Sequence, residues 1–380
     1  MIAYDINGRS YSLNESNLGG GEGKLYSVAN HPELYAKIFK EEKRTRGREA
    51  KILEWEYMFE ANELDKNFSD QVVIPRKCLY SQKSGQNIQT FLGYLMEKQT
   101  SFKVLKDVYV ENDLSYAQKV WAARNLCILT NRVHSAQRGI TIGDYNADNI
   151  VIFPQTSTAK FIDVDSFQLT IHRSNKRILC PCTVGVPEFM APEIARRLKK
   201  EKTDLENVDQ DADNPVFNKY TDLYAMAYHI FALLMNGSSP FASMANMEEI
   251  SQHPSKNVSS IDIDQFHAAE KGEFVFARHL LFKKAPEYAP KYKMLSPELR
   301  KLFERAFIEG AKNPKVRPEA KEFYDALTEY LESLEECHCG HYGHYMPSTY
   351  TGECEWCRIE NGLSHFCTFD EWKFTVCIYG

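Results

Sequence analysis

The 380-residue chain contains no apolar run long enough to cross a bilayer. Its longest, LYAMAYHIFALLM at 223–235, has the length of a buried helix. The N-terminus, MIAYDINGRSYSL, lacks a basic start followed by an apolar core, so no secretory signal is expected and the reading is of a cytoplasmic protein. Neither sign of charge is in large excess. Lys and Arg number 46 against 52 Asp and Glu, a net −6, which leaves no global footprint for nucleic acid or a membrane surface. Internal repeats are absent, which excludes a solenoid. Cysteine is thin over most of the chain: Cys78, Cys127, Cys180 and Cys182 are scattered before residue 200, and the other six fall in the last 44 residues. Disulfides are out of place in a reducing compartment. Cysteines clustered at short spacing point to metal instead.

What is present is an ordinary globular composition, 43% hydrophobic and 26% charged, with length for two domains and a small third. Residues 1–97 carry short alternating runs such as KLYSVA, LYAKIF and IQTFLGYLM, which predict strands. One charged amphipathic stretch, 41–64, interrupts them and predicts a helix packed on the sheet. From about 103 the period becomes helical, with Val120, Ala123, Leu126, Cys127 and Thr130 at helical spacing within 115–137. A strand-rich interlude over 139–170 precedes more helices to about 335. The dense charge of 194–218 reads as a solvated loop or helix end. The expected architecture is α+β, with units at 1–97, 98–335 and 336–380.

Several positions invite chemistry. Gly19, Gly20 and Gly21, with Gly23 two residues on, let backbone N–H groups approach phosphate oxygens, although hairpin turns use the same residues. Lys37 lies inside the strand LYAKIF, where an ammonium is costly to bury without a partner. Glu49, near the start of the following helix, is a candidate partner. In GITIGDYNADNI (139–150), Asp144 is placed to accept a hydroxyl proton and Asn149 to ligate a hard cation. Asp148 reads as a turn and capping residue. Asp163 ends the apolar run of KFIDVDSF as a candidate Mg²⁺ ligand, and Asp165 reads as a turn former in preference to a second ligand.

Taken in order with VGVPEFMAPE (184–193), DLYAMA (222–227) and NPKVRPEA (313–320), these stretches resemble the eukaryotic-like serine/threonine protein kinase family over residues 10–333. The resemblance implies a two-lobed fold, a β-rich lobe with one helix followed by a mainly helical lobe. It also implies use of ATP with Mg²⁺ or Mn²⁺ to phosphorylate Ser or Thr of a protein substrate. It makes Asp144 the catalytic base, Lys37 the α/β-phosphate contact and Glu49 its ion-pair partner. Gly19 to Gly23 would cover the phosphates, Met96 would be the gatekeeper and Glu97 would begin the hinge against adenine. Asn149 and Asp163 would hold the metal, Glu193 would pair with Arg317, and Asp222 would tie the catalytic loop to the buried helix. The chain departs from the family pattern at Leu18, at Ile142-Gly143 before the base, at Asn146 where a Lys is usual, at Val164, and at Val186 where a Thr is usual. Two rival readings stand beside this one: a nucleotide-binding scaffold with negligible turnover, and a small-molecule kinase of similar fold.

The tail, CHCGHYGHYMPSTYTGECEWC (337–357), sets Cys337 and Cys339 against Cys354 and Cys357. Paired sulfur ligands joined by a loop suit structural Zn²⁺. His341 and His344 compete as ligands, and His344 is able to displace Cys337. The remaining LSHFCTFDEWKFTVCIYG alternates like a terminal hairpin. The arrangement resembles a zinc ribbon, and the C-x-W-C knuckle resembles that of bacterial kinase-like proteins. That likeness implies a cognate protein phosphatase and a von Willebrand A-type protein as partners.

Overall fold

Alternation in the first hundred residues builds an antiparallel sheet of six strands: β1 (Ile2–Tyr4), β2 (Ser10–Gly19), β3 (Gly23–Val28), β4 (His31–Phe39), β5 (Lys77–Tyr80) and β6 (Phe91–Glu97). In this computed structural model the strands run in the order β1-β2-β3-β4-β6-β5 and the sheet closes into a barrel through Tyr4 opposite Tyr80. Closure is not among the features the kinase resemblance implies. The structure describes all residues except 83–89, 111–112, 137–138, 174–175, 243–266, 278–284 and 364–380. The expected terminal hairpin lies outside the described residues.

Period two decides which side chains face where. Ala36 and Ile38 of β4 join Leu13, Val28, Leu79 and Leu95 in one core cluster. Phe39 joins Ile52, Cys78 and Tyr94 on the other side, under helix α1 (Arg46–Glu60). Lys37 shares that second side with Phe39. Helix α1 begins at Thr45, whose side chain accepts a hydrogen bond from the Arg48 N–H, the usual way to satisfy a first-turn donor. The helix is therefore shorter than the 41–64 segment expected, and a second, α2 (Lys66–Gln71), follows it, capped by Asp65.

After a short α3 (Leu105–Val108), the helical part is organised by α4 (Tyr116–Ser135) and α6 (Lys219–Leu234). A capping box of Ser115 and Gln118 starts α4, and one of Asn218 and Thr221 starts α6. Every residue of α6 from Thr221 to Leu234 is buried, as its apolar run predicts. Two small sheets, β7-β8-β9 (Lys103–Val104, Ile150–Phe153, Thr158–Phe161) and the hairpin β10-β11 (Leu169–Arg173, Lys176–Cys180), carry the interlude. Helix α5 (Pro192–Glu201) and the helices Pro297–Glu304 and Ala320–Glu332 complete this part. The tail adds a hairpin, β12-β13 (Leu334–Glu336, Tyr345–Pro347), and a helix, Glu355–Leu363, where strand-rich structure was expected. The chain is thus mixed α+β with a cysteine-rich cluster near its C-terminus. Among the described residues no helix is long and apolar enough to cross a membrane.

Candidate functional site

The Lys37 side chain leaves β4 into the gap between the barrel and the strand β9 exit. It is buried, and its Nζ donates to Asp163 Oδ1 and, at 2.8 Å, to Asp165 Oδ1. Two carboxylates supply what a buried ammonium requires. The chain turns sharply here because Asp163 adopts the left-handed region, φ 59° and ψ 38°, which Asp tolerates better than most residues. Loss of hydration works against the Asp165 charge, but the Lys37 ammonium, the hydrogen bond with Asp163 and the Arg48 charge together outweigh it and hold the Asp165 carboxyl below its usual range.

Glu49 does not pair with Lys37, contrary to expectation. Its carboxylate lies beside Cys78 and Tyr80, on the sheet side of α1. The preference for Asp165 as a mere turn former is also corrected. It does sit in a short 3₁₀ turn, Val164–Ser166, yet its side chain is inside, bonded to Lys37 and, at 2.7 Å, to the Tyr94 hydroxyl. Sequence spacing offered one faint signal for this, the second Asp of DVD. Rotation about α1 decided against Glu49, and that rotation is not readable from residue identity.

Asp144 and Asn149 meet on the turn between Thr141 and β8. Asn149 Nδ2 donates to Asp144 Oδ2 at 3.2 Å, while Asp144 Oδ1 is buried and completes no well-formed hydrogen bond, although the Val186 N–H comes near enough to the carboxylate to favour its charged form. Burial raises the Asp144 carboxyl to about 6, with the Glu22 charge adding to the shift. The backbone ties this turn to the Lys37 group, since the Ile162 N–H donates to the Asn149 carbonyl at 2.9 Å, one residue before Asp163. Lys37, Asp144, Asn149 and Asp163 are therefore neighbours in one region. Asp148 is exposed and caps nothing with its side chain; the cap is Asn146, whose Oδ1 accepts from the Asp148 N–H at 3.1 Å.

Asp222, at the start of α6, holds the turn from below. It accepts from the N–H groups of Ile142 (2.8 Å) and Gly143 (2.9 Å) and pairs with His134 at 2.9 Å. His229, two turns along α6, bonds the Tyr145 carbonyl at 2.7 Å and the Tyr109 hydroxyl at 2.5 Å. The sequence reading had no role for His229. Arg317 is buried and grips both Glu193 oxygens, at 2.7 and 2.6 Å, as well as the carbonyls of Tyr220 and Gly310. A small depression beside Asp144 is lined by Gly143, Gly185, Val186, Phe189 and Thr221.

The glycine-rich hairpin has two kinds of glycine. A Cβ at Gly23 would lie 2.5 Å from the Ile38 carbonyl oxygen, so sheet packing demands that glycine. Gly20 and Gly21 face open space, and Gly19 meets Gly23. Glu22 at the hairpin tip pairs with Arg48 of α1 at 2.7 Å. Met96 packs against the Phe39 cluster and Glu97 reaches Arg76 at 3.4 Å.

In the tail, the donor atoms of Cys339, His341, His344 and Cys357 lie within 4.8 Å of one another, and so do those of Cys337, Cys354 and Cys357. The four thiols expected to act together divide between these two groups, which share Cys357. His344 Nδ1 points at the sulfurs of Cys339 (3.4 Å) and Cys357 (3.5 Å), while its Nε2 is held by Glu360 at 3.0 Å. An imidazole with one nitrogen facing thiols and the other on a carboxylate has the orientation a metal ligand needs. The cluster can bind a metal such as zinc. Set against models of known protein families the chain matches none, and no curated protein matches it.

Proposed function

We propose that the protein is an ATP- and Mg²⁺-dependent kinase of two-lobed, protein-kinase-like fold that phosphorylates Ser or Thr hydroxyls of a protein. One observation carries this reading: Lys37 and Asp163, 126 residues apart, are paired beside an Asp144–Asn149 pair whose second carboxylate oxygen is buried and completes no well-formed hydrogen bond. A buried acceptor left so is costly, and a substrate hydroxyl would satisfy it. Asn149 and Asp163 offer hard oxygen ligands suited to Mg²⁺, which would neutralise phosphate charge. Asp144 orients the acceptor hydroxyl and takes its proton as the new P–O bond forms and the bond to the ADP oxygen breaks. Lys37 holds phosphate oxygens, under the hairpin of Gly20 and Gly21. The Arg317–Glu193 clamp keeps the segment beside the depression at Asp144 in place, which favours a protein acceptor over a small molecule.

Zn²⁺ in the tail is the second part of the proposal, with His344 and Cys357 central to its ligand set. The tail would then serve as a rigid surface for a protein partner, for which the sequence resemblance suggests a phosphatase or a von Willebrand A-type protein. A scaffold that binds nucleotide without turnover has one observation in its favour: Asn146 is spent on capping the turn, so no cation stands there for the transferred group. Radiolabelled transfer from ATP to mixed protein acceptors separates the readings. Asp144→Asn is expected to lower incorporation at least about 100-fold. Equal incorporation by both proteins would remove the catalytic assignment, and nucleotide binding with no incorporation by either would leave the scaffold.

A further inference from the structure

We propose that Asp165, not Glu49, is the positioning carboxylate for Lys37, an inference that rests on the kinase reading of this site. Lys37 and Tyr94 stand directly opposite in the β4–β6 register. Both reach the same oxygen, Asp165 Oδ1, at 2.8 and 2.7 Å. Asp165 is 2% exposed, and the turn that carries it is pinned on both sides. Ser166 Oγ donates to the Asp163 carbonyl at 3.2 Å, and Phe167 packs against Trp55 and Phe161.

Helix α1 offers this turn cations only. Arg48 Nη1 stands 4.0 Å from Asp165 Oδ2, and Lys51 Nζ donates to the Pro181 carbonyl at 2.7 Å. Arg48, Lys51 and Trp55 share one stripe at three- and four-residue spacing, while Glu49, one position on from Arg48, is turned about 100° away. A helix with that face cannot neutralise Lys37, so the counter-charge has to come from the chain after β9. The two aspartates also differ in access. The Asp163 side chain is 40% exposed, that of Asp165 1%. Asp163 is thus free to leave Lys37 for a metal while Asp165 keeps the ammonium in place. Control by α1 would then run through Arg48 on Asp165 and through Glu22 of the glycine hairpin, both of which Arg48 faces.

Two measurements on the full chain test this. The first needs no nucleotide: urea unfolding of Lys37→Met, Asp165→Asn, Glu49→Gln and the two doubles with Lys37→Met. The Lys37–Asp165 cycle is expected to depart from additivity about tenfold or more in the unfolding constant, and the Lys37–Glu49 cycle by less than about twofold. The second is steady-state transfer. Asp165→Asn should raise KM for ATP about tenfold, Asp165→Glu should recover part of it, and Glu49→Gln should change it less than about twofold. Should Asp165→Asn fail to fold, Tyr94→Phe, which removes one bond to the same carboxylate, is expected to raise KM for ATP about threefold. An additive Lys37–Asp165 cycle, or a coupled Lys37–Glu49 cycle with raised KM in Glu49→Gln, overturns the assignment. A coupled Lys37–Asp165 cycle in a wild-type protein that binds no ATP would overturn the kinase reading and leave the ion pair standing.

Discussion

The imidazole of His229 is wholly buried, and its two nitrogens have different duties. Nε2 faces the Tyr145 carbonyl and must donate; Nδ1 faces the Tyr109 hydroxyl and accepts. The ring is complete as a neutral group, and burial lowers its pKa to about 4. The unfolded chain takes up this proton near pH 6.5 and the folded chain does not until about 4. Stability contributed here is therefore full above 6.5, falls as pH drops towards 4 and levels off below, by about 3 kcal/mol in all. Urea unfolding at a series of pH values should show that slope in the wild type, and His229→Gln, which retains a donor to the carbonyl, should lack it. If the two profiles run parallel, His229 is not the group responsible. At this scale the sequence told unevenly. That Lys37, Asp144, Asn149 and Asp163 lie in one region was legible from their order along the chain. Asp165 and His229 were not, since each acts through partners 128 and 84 residues distant that only folding brings near. Glu49 was misjudged because a helix position gives identity without rotation.

Strands β4 and β6 deliver Lys37 and Tyr94 only because their backbones lie close at Gly93. A Cβ there would lie 1.9 Å from the Lys37 carbonyl oxygen. Gly93→Ala must therefore open the ladder where Ile38 faces Gly93 and Lys37 faces Tyr94. The expected loss is about 2–3 kcal/mol by urea midpoint with an unchanged slope. Gly20→Ala, which meets nothing within 4 Å, should cost less than about 0.5 kcal/mol. Comparable losses from the two would mean that the ladder is not under this constraint. Period two exposed these strands in the sequence, and the unbroken apolar run exposed α6. Barrel closure stayed hidden, because it rests on the twist that brings Tyr4 to Tyr80 and on no local signal. The tail helix stayed hidden too, behind cysteine spacing that fits a strand-borne knuckle equally well.

At the scale of the molecule, the described residues fasten the tail to the helical part at several places, of which two stand out. Glu355 is fully buried and accepts from the Lys291 N–H (3.2 Å), the Tyr350 hydroxyl (2.5 Å) and Arg358 Nε (2.7 Å). Arg358 goes on to the carbonyls of Glu287 and Ala289. At the second place the Tyr116 N–H donates to the Gly343 carbonyl at 2.9 Å, and the Trp356 ring lies 4.6 Å from that of Tyr116. Trp356 Nε1 also donates to the Tyr345 carbonyl, joining the tail helix to β13. A metal between the 337–344 and 354–357 segments would lock these contacts together, because so short a module has little core of its own. The purified chain is expected to carry zinc, measurable by elemental mass spectrometry. Removing it with a chelator should shift Trp356 emission to the red and open the 337–357 segment to protease, while the α4–α6 core keeps its far-ultraviolet dichroism. Trp356→Phe should abolish the emission change and leave the protease result intact, which assigns that change to Trp356 and not to Trp55, Trp121 or Trp372. Zinc-free protein with the same emission and the same protease resistance would show instead that Glu355 and Arg358 hold the tail without help from a metal.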